Sequence, residues 1–249
     1  MRVIRINPAH DPAALAKVFE ADRRMQIRDF FVAEDAERIH ELLSTGTPWW
    51  LAYNVGSKVE QLPPEYLATL TQTQLNQMLQ GIQERARTQY QFLYQFYPMV
   101  STYFAPTAEQ APIQAAYEFL NSPSSLDFFR ALTERPDIKW ADAQATLYRS
   151  GNFLKSHTDQ DEGGHRVAAY VLNFTRLWER DWGGYLQFFD EQHDIEKAYR
   201  PIFNALNIFS VPQDHSVGMV SSFCYGLRYS ITGWLRSDEP PGPFGRVAS

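Results

Sequence analysis

Arg166-Val167-Ala168-Ala169-Tyr170-Val171-Leu172-Asn173-Phe174 reads as a β-strand, and the rest of the chain is best understood outward from it. The same kind of run occurs before it in Ala145-Thr146-Leu147-Tyr148. After it come Tyr185 to Phe189, Ala205 to Val211, Val217 to Val220 and Leu227 to Leu235, each set off by turn residues. Many short strands at near-regular spacing argue for a sandwich or a barrel. A mainly β fold with a double-stranded β-helix (jelly roll) core over residues 140–236 is the architecture this pattern predicts.

Upstream, residues 1–139 read as mostly helical support with outer strands. Met25 to Phe31 is a strand-like entry to a helix over 33–43, in which Ala36, Ile39, His40 and Leu43 share one face. Trp49 to Tyr53 resembles a strand. From Pro64 onward a long polar helix is expected, because Tyr66, Leu67, Leu70, Leu75, Met78, Leu79 and Ile82 recur at helical steps. The aromatic stretch Tyr90 to Tyr97 fits a buried helix or an alternating strand, read as core packing ahead of a substrate-facing wall. A helical stretch from Ala108 to Leu132 is interrupted at Asn121-Ser122-Pro123, where Ser122 or Ser124 caps the second of its two helices. Downstream, 237–249 holds three prolines and two glycines and reads as a loose tail. All-β chains of this size commonly form one domain, so 1–249 is taken as a single domain.

Composition narrows the function. The chain is 44% hydrophobic and 21% charged, within the ordinary range of a globular protein that buries a core. Its net charge of −6 gives no general electrostatic footprint for nucleic acid, so no direct nucleic-acid partner is expected. Neither a secretory leader nor an apolar run of about 18 residues is seen, and the expectation is a soluble cytoplasmic protein without a membrane partner. The one cysteine, Cys224, can form neither an internal disulfide nor a cysteine cluster for zinc. It is read as a small core residue.

The chemistry begins at His157-Thr158-Asp159. On an extended strand end, residues two apart point to the same face, so His157 and Asp159 can converge on one ion. A third ligand must come from another strand, and His215 is the candidate. Two imidazoles and one carboxylate form the facial triad that leaves open positions on Fe(II). Arg228 lies in an otherwise apolar or small run, where a guanidinium needs a carboxylate partner from a ligand or from a protein Asp or Glu. Alternation puts Ser230 and Thr232 on its face. Asp214 is a candidate to orient His215. His165 and His193 lie in polar loops, and His10 and His40 in the helical region. Asp161 and Glu162 are read as solvated or entrance-lining charges, and Trp178 and Trp182 as a groove wall or a packed loop.

The set His157-x-Asp159, His215 and Arg228-Tyr229-Ser230-Ile231-Thr232 resembles the Fe(II)- and 2-oxoglutarate-dependent dioxygenases, in their prolyl hydroxylase branch. Leu147 to His157 resembles the strand, turn and strand that deliver the first ligand, with Tyr148 at the place of a tyrosine that bonds 2-oxoglutarate. Arg166 to Asn173 is similar to the central strand, and Trp182-Gly183-Gly184-Tyr185-Leu186 to the glycine pair before the next one. The local flavour is most similar to peptidyl-proline hydroxylases acting on ribosomal protein, whose second jelly roll this chain has no room for.

The resemblance covers residues 140–236. It implies His157, Asp159 and His215 as iron ligands and catalytic residues, with Arg228, Tyr148, Thr232 and Ser230 binding 2-oxoglutarate. It further implies O2 as co-substrate, ascorbate as reductant, and hydroxylation of an unactivated C–H bond with release of succinate and CO2. Asp159 favours hydroxylation over halogenation, because a related halogenase would carry a small residue there. The substrate implied is a prolyl residue in a protein or peptide. A free amino acid or other small molecule, a non-catalytic ligand-binding jelly roll, and a homodimeric state are kept open.

Overall fold

The computed structural model describes residues 4–105 and 110–244. The N-terminal part begins with α1 (Pro12–Asp22), β1 (Arg24–Arg28), α2 (Ala33–Thr45) and a hairpin of β2 (Trp50–Val55) and β3 (Lys58–Leu62). Then come α3 (Pro64–Leu67), α4 (Gln72–Ala86), β4 (Phe92–Tyr97), α5 (Met99–Phe104), α6 (Gln114–Leu120) and α7 (Pro123–Thr133). The rest is strand apart from a short 3-10 helix, Arg180–Trp182, between β8 and β9: β5 (Trp140–Ala141), β6 (Gln144–Tyr148), β7 (Phe153–His157), β8 (Arg166–Asn173), β9 (Leu186–Phe189), β10 (Ile195–Tyr199), β11 (Ala205–Ser210), β12 (His215–Val217) and β13 (Arg228–Arg236).

All thirteen strands join one sheet, with the path β1-β11-β8-β13-β6-β4-β7-β12-β9-β10 and β2, β3 and β5 attached at its sides. Strand β4 turns the corner between the two halves of the roll: Gln95 to Tyr97 pair with β6, while Phe92 and Leu93 pair with β7. The free ends of the path meet where Arg24 of β1 pairs with Glu196 of β10 and Gln26 Nε2 donates to the carbonyl of Arg200. The result is a nearly closed jelly roll.

The sheet sorts its residues by alternation. On β13, Tyr229, Ile231 and Leu235 point outward into the main core, and on β8 Tyr170 and Leu172 do the same. Phe19, Ile39, Leu43, Phe119 and Phe129 of the helices cover that outer face. Each such side chain contributes roughly 1.5–3 kcal/mol by leaving water. Arg228, Ser230, Thr232 and Trp234 take the opposite, inner face. Where β13 passes β5 the backbones nearly touch: a Cβ on Gly233 would lie 1.9 Å from the carbonyl oxygen of Asp142.

Several expectations need correction. The helix expected from Pro64 is two helices, because Thr71 caps α4 with a reciprocal capping box to Gln74 and so starts a new helix. Tyr90 to Tyr97 is a strand over Phe92–Tyr97. The hairpin strand β3 and the strand β10 are additions to the expected set; both are polar and exposed and lack an apolar alternation. Strand β12 ends at Val217, short of Val220. The start of the helical stretch at Ala108 lies outside the described residues, and α6 begins at Gln114; Ser122 is the residue that caps α7. The tail is not loose as far as Phe244, which packs on Tyr103, Phe104 and Tyr117. Trp140 and Arg236 also bind Asp238, while 245–249 lie outside the described residues.

Candidate functional site

Strand β7 ends on His157, β12 begins on His215, and the antiparallel register sets these two residues opposite each other. Asp159 follows two residues after His157, so its carboxylate returns to the same spot. His157 Nε2 lies 3.4 Å from Asp159 Oδ1, and His215 Nε2 lies 3.4 Å from Asp159 Oδ2. One donor atom from each of the three residues falls within 4.8 Å of the others. Both imidazoles are oriented alike: Nδ1 of His157 bonds the carbonyl of Lys155 at 3.0 Å, and Nδ1 of His215 that of Gln213 at 2.9 Å. A carbonyl only accepts, so each Nδ1 carries the proton and each Nε2 presents a lone pair. Asp214 does not hold His215 as expected; its carboxylate takes the Ser156 hydroxyl instead.

The electrostatics favour the ligating states. Burial pushes the Asp159 carboxyl up, but the two histidines outweigh it and hold the group below its ordinary range. Burial drives the His215 imidazole down, more than Asp159 pulls it up. An ionised carboxylate and a neutral imidazole are the forms that bind a cation. Two imidazoles with one carboxylate, and no thiolate, suit a first-row divalent metal with open positions.

These three residues open into a cavity of about 930 Å³ that runs between the two halves of the roll. Arg228 lies on its wall, 2% exposed, with its guanidinium 4.8 Å from the ring centroid of Tyr148. Among the described residues it has no carboxylate partner, and its Nε makes no hydrogen bond. Burial pulls its pKa down, against the opposing pull of Tyr148. A buried cation left in this state fits an acidic group supplied from outside the chain. Tyr148, opposite Arg228 in the β6–β13 register, is 3% exposed and stacks on Tyr94 at 5.2 Å. Burial raises the Tyr148 phenol well above its ordinary value, so it stays a proton donor. Thr232 also lines the cavity.

Ser230 is the exception among the expected site residues. It shares the inner face, but it is fully buried, is absent from the cavity wall, and gives its hydroxyl to Asn173 Oδ1 at 3.4 Å. Its cross-strand partner Thr146 does line the cavity. Trp234 and Arg166 also join the site without having been expected there: the Arg166 guanidinium stacks 3.7 Å from the Trp234 ring and donates to the carbonyl of Asp159 at 3.1 Å. Continuing the alternation of Arg228, Ser230 and Thr232 by one step finds Trp234. The remaining histidines stand apart. His10 and His40 bond the carbonyls of Asp29 and Phe174, while His165 and His193 are exposed. Trp178 and Trp182 do not line the cavity; they pack with Cys224 behind two residues that do, Tyr148 and Val217.

The profile of the 2OG-Fe(II) oxygenase superfamily matches residues 143–236, the span from β6 through β13. A prolyl-4-hydroxylase from Pseudomonas putida is similar in structure, with a TM-score of 0.55, 17% identity, and coverage of 96% of this chain and 100% of that one. A 2OG-Fe(II) oxygenase family oxidoreductase from Burkholderia pseudomallei gives 0.58 at 13% identity, covering 96% and 98%. A prolyl hydroxylase from Trichoplax adhaerens, in complex with a hypoxia inducible factor peptide fragment, gives 0.54 at 13%, covering 91% and 89%. At these identities the likeness is one of fold. No curated protein matches the chain by sequence.

Proposed function

We propose, from the membership of residues 143–236 in the 2OG-Fe(II) oxygenase superfamily, that this protein is a dioxygenase that hydroxylates a prolyl residue in a protein or peptide. Its co-substrates are 2-oxoglutarate and O2, and its products besides the hydroxylated residue are succinate and CO2. The observation that carries this reading is the buried, unpaired Arg228 guanidinium in the same cavity as the His157, Asp159 and His215 donors. A 2-oxoacid with a second carboxylate answers both ends of that arrangement.

His157, Asp159 and His215 would hold the metal, and Fe(II) when bound supplies the redox chemistry that couples oxidative decarboxylation to C–H hydroxylation. The chain supplies position and a dry pocket. Arg228 takes the distal carboxylate, and its guanidinium, already out of water, pays no further desolvation of its own. Tyr148, directly across the strand pair from Arg228, and Thr232, two same-face positions along β13, offer hydroxyls to the same cavity.

A peptidyl substrate is supported by what forms the entrance. No residue of any described helix lines the cavity; its outer wall is Asn54, Gly56, Ser57 and Val59 of the β2–β3 hairpin, with Gln89 and Tyr90. The helices cover the outer face of the sheet and do not roof the site. A side chain that remains attached to a longer chain can enter from the hairpin side. The similarity to prolyl hydroxylases, one with a peptide bound, points the same way.

The test is formation of succinate from 2-oxoglutarate with Fe(II), O2 and ascorbate as reductant, followed by mass spectrometry of host proteins with and without the enzyme. Gain of one oxygen atom on proline is expected. Turnover stimulated by free amino acids but by no peptide would replace the peptidyl reading, and absence of both turnover and 2-oxoglutarate binding would end the dioxygenase reading.

A further inference from the structure

We propose that the Thr146 hydroxyl donates a hydrogen bond to the distal carboxylate of 2-oxoglutarate and so helps determine co-substrate affinity. The inference rests on the 2-oxoglutarate reading above and adds a residue to it. It starts from the strand. On β6, Ala145 and Leu147 point into the main core, which turns Gln144, Thr146 and Tyr148 toward the cavity. Opposite these three stand Thr232, Ser230 and Arg228 in that order. Thr146 is therefore one step along the strand from the residue facing Arg228, on the same face.

The Thr146 side chain is 2% exposed, and its Oγ1 has no hydrogen-bond partner. Its cross-strand neighbours leave it none. Ser230 on one side donates to Asn173, and Phe96 on the other is apolar. A buried hydroxyl without a partner is costly, and most buried polar groups in folded proteins are satisfied. The orphan Thr146 hydroxyl lies on the cavity wall, diagonal in the strand register to Arg228, whose Nε is likewise without a partner. A carboxylate has about four lone-pair positions, and a guanidinium used bidentately fills two of them. A hydroxyl at Thr146 can fill a third, and the ligand then satisfies both orphans at once.

The reading makes the two states of the protein respond in opposite directions. Thr146→Val keeps the shape and removes the hydroxyl. Without ligand, loss of an unsatisfied group raises Tm by about 2–4 °C. With Mn(II) in place of Fe(II), calorimetric titration of 2-oxoglutarate should show affinity weakened roughly tenfold to a hundredfold, as for a hydrogen bond to a charged group. Thr146→Ser should restore it, and Ser230→Ala should matter less than Thr146→Val. If Thr146→Val lowers the ligand-free Tm and leaves 2-oxoglutarate affinity unchanged, the hydroxyl is serving the protein interior and the proposal is overturned. Failure of the wild-type protein itself to take 2-oxoglutarate would be a separate result, and it would remove the dioxygenase reading together with this one.

Discussion

Replacing Arg228 by Met should make the ligand-free protein more stable and the ligand-bound protein less so. Met is unbranched and adapts to irregular space, so it fills the slot beside the Tyr148 ring without a charge. The loss without ligand is the contact between guanidinium and ring at 4.8 Å, worth about 1–2 kcal/mol. The gain is relief of a buried cation with no carboxylate partner among the described residues. Exchanging buried charge for apolar packing stabilises by about 1–4 kcal/mol in comparable cases. At the middle of both ranges the gain exceeds the loss, leaving a net rise of about 1 kcal/mol, or roughly 2–4 °C in Tm at this chain length.

The loaded state reverses the order. At a 2-oxoglutarate concentration about a hundredfold above Kd, the wild-type protein gains about 2.7 kcal/mol, or roughly 5–11 °C. Truncating one partner of a buried hydrogen-bonded charge pair costs about 2–5 kcal/mol, enough to remove that gain in the variant. Thermal melts of both proteins with Mn(II), with and without 2-oxoglutarate, test this directly. The two melting curves should cross over between conditions. A variant that melts lower without ligand and still shifts fully with 2-oxoglutarate would refute the assignment, because Arg228 would then be holding the fold together and not the co-substrate.

The same geometry sets three further outcomes. His157→Ala should weaken Fe(II) or Mn(II) binding by about a hundredfold or more, measured by metal titration, since it removes one of the three candidate ligands among the described residues. Burial raises the Asp142 carboxyl to about 6, against the downward pull of Arg236 and Arg166, so its contribution to stability is full below pH 3.8 and is lost as pH rises through about 6. Asp142→Asn should accordingly gain about 1–3 kcal/mol over wild type between about pH 4 and pH 7.5 in denaturant unfolding, and a difference that does not widen with pH counts against it. Gly233→Ala should destabilise by about 3 kcal/mol, because the added Cβ meets the Asp142 carbonyl and both partners are backbone.

The parts legible in the sequence were those with a local period or a local motif. The strands after Lys139 showed as apolar runs, and His157-x-Asp159 was readable because an extended chain sends residues two apart to one side. Arg228 stood out as a charge in an apolar run. Strands β3 and β10 left no such trace, since their burial patterns are almost wholly exposed and sheet pairing alone makes them strands. Thr71 gives no visible break because the apolar steps on either side of it continue the helical period, and the capping side chains outweigh that period. Ser230 and Thr146 could not be separated by alternation at all. Both face inward, and the difference between them is Asn173 on the next strand, which engages one hydroxyl and not the other.

The same distinction between local and paired information explains how the candidate metal centre is assembled. Each imidazole is oriented by its own chain segment, through the carbonyl two residues before it, so the tautomer with a free Nε2 is written separately into β7 and into the approach to β12. Bringing the two rings together depends on the pairing, which sets His215 against His157 and puts the ring centroids 4.3 Å apart. A slip of one residue would turn one imidazole to the other face of the sheet. The tie between Ser156 and Asp214 lies one residue before each histidine and joins the same two strands. The register is irregular only after His215, toward Val217. The pair is therefore tied where the candidate ligands stand, and the Asp214 carboxylate serves the site by fixing the strands that carry the rings.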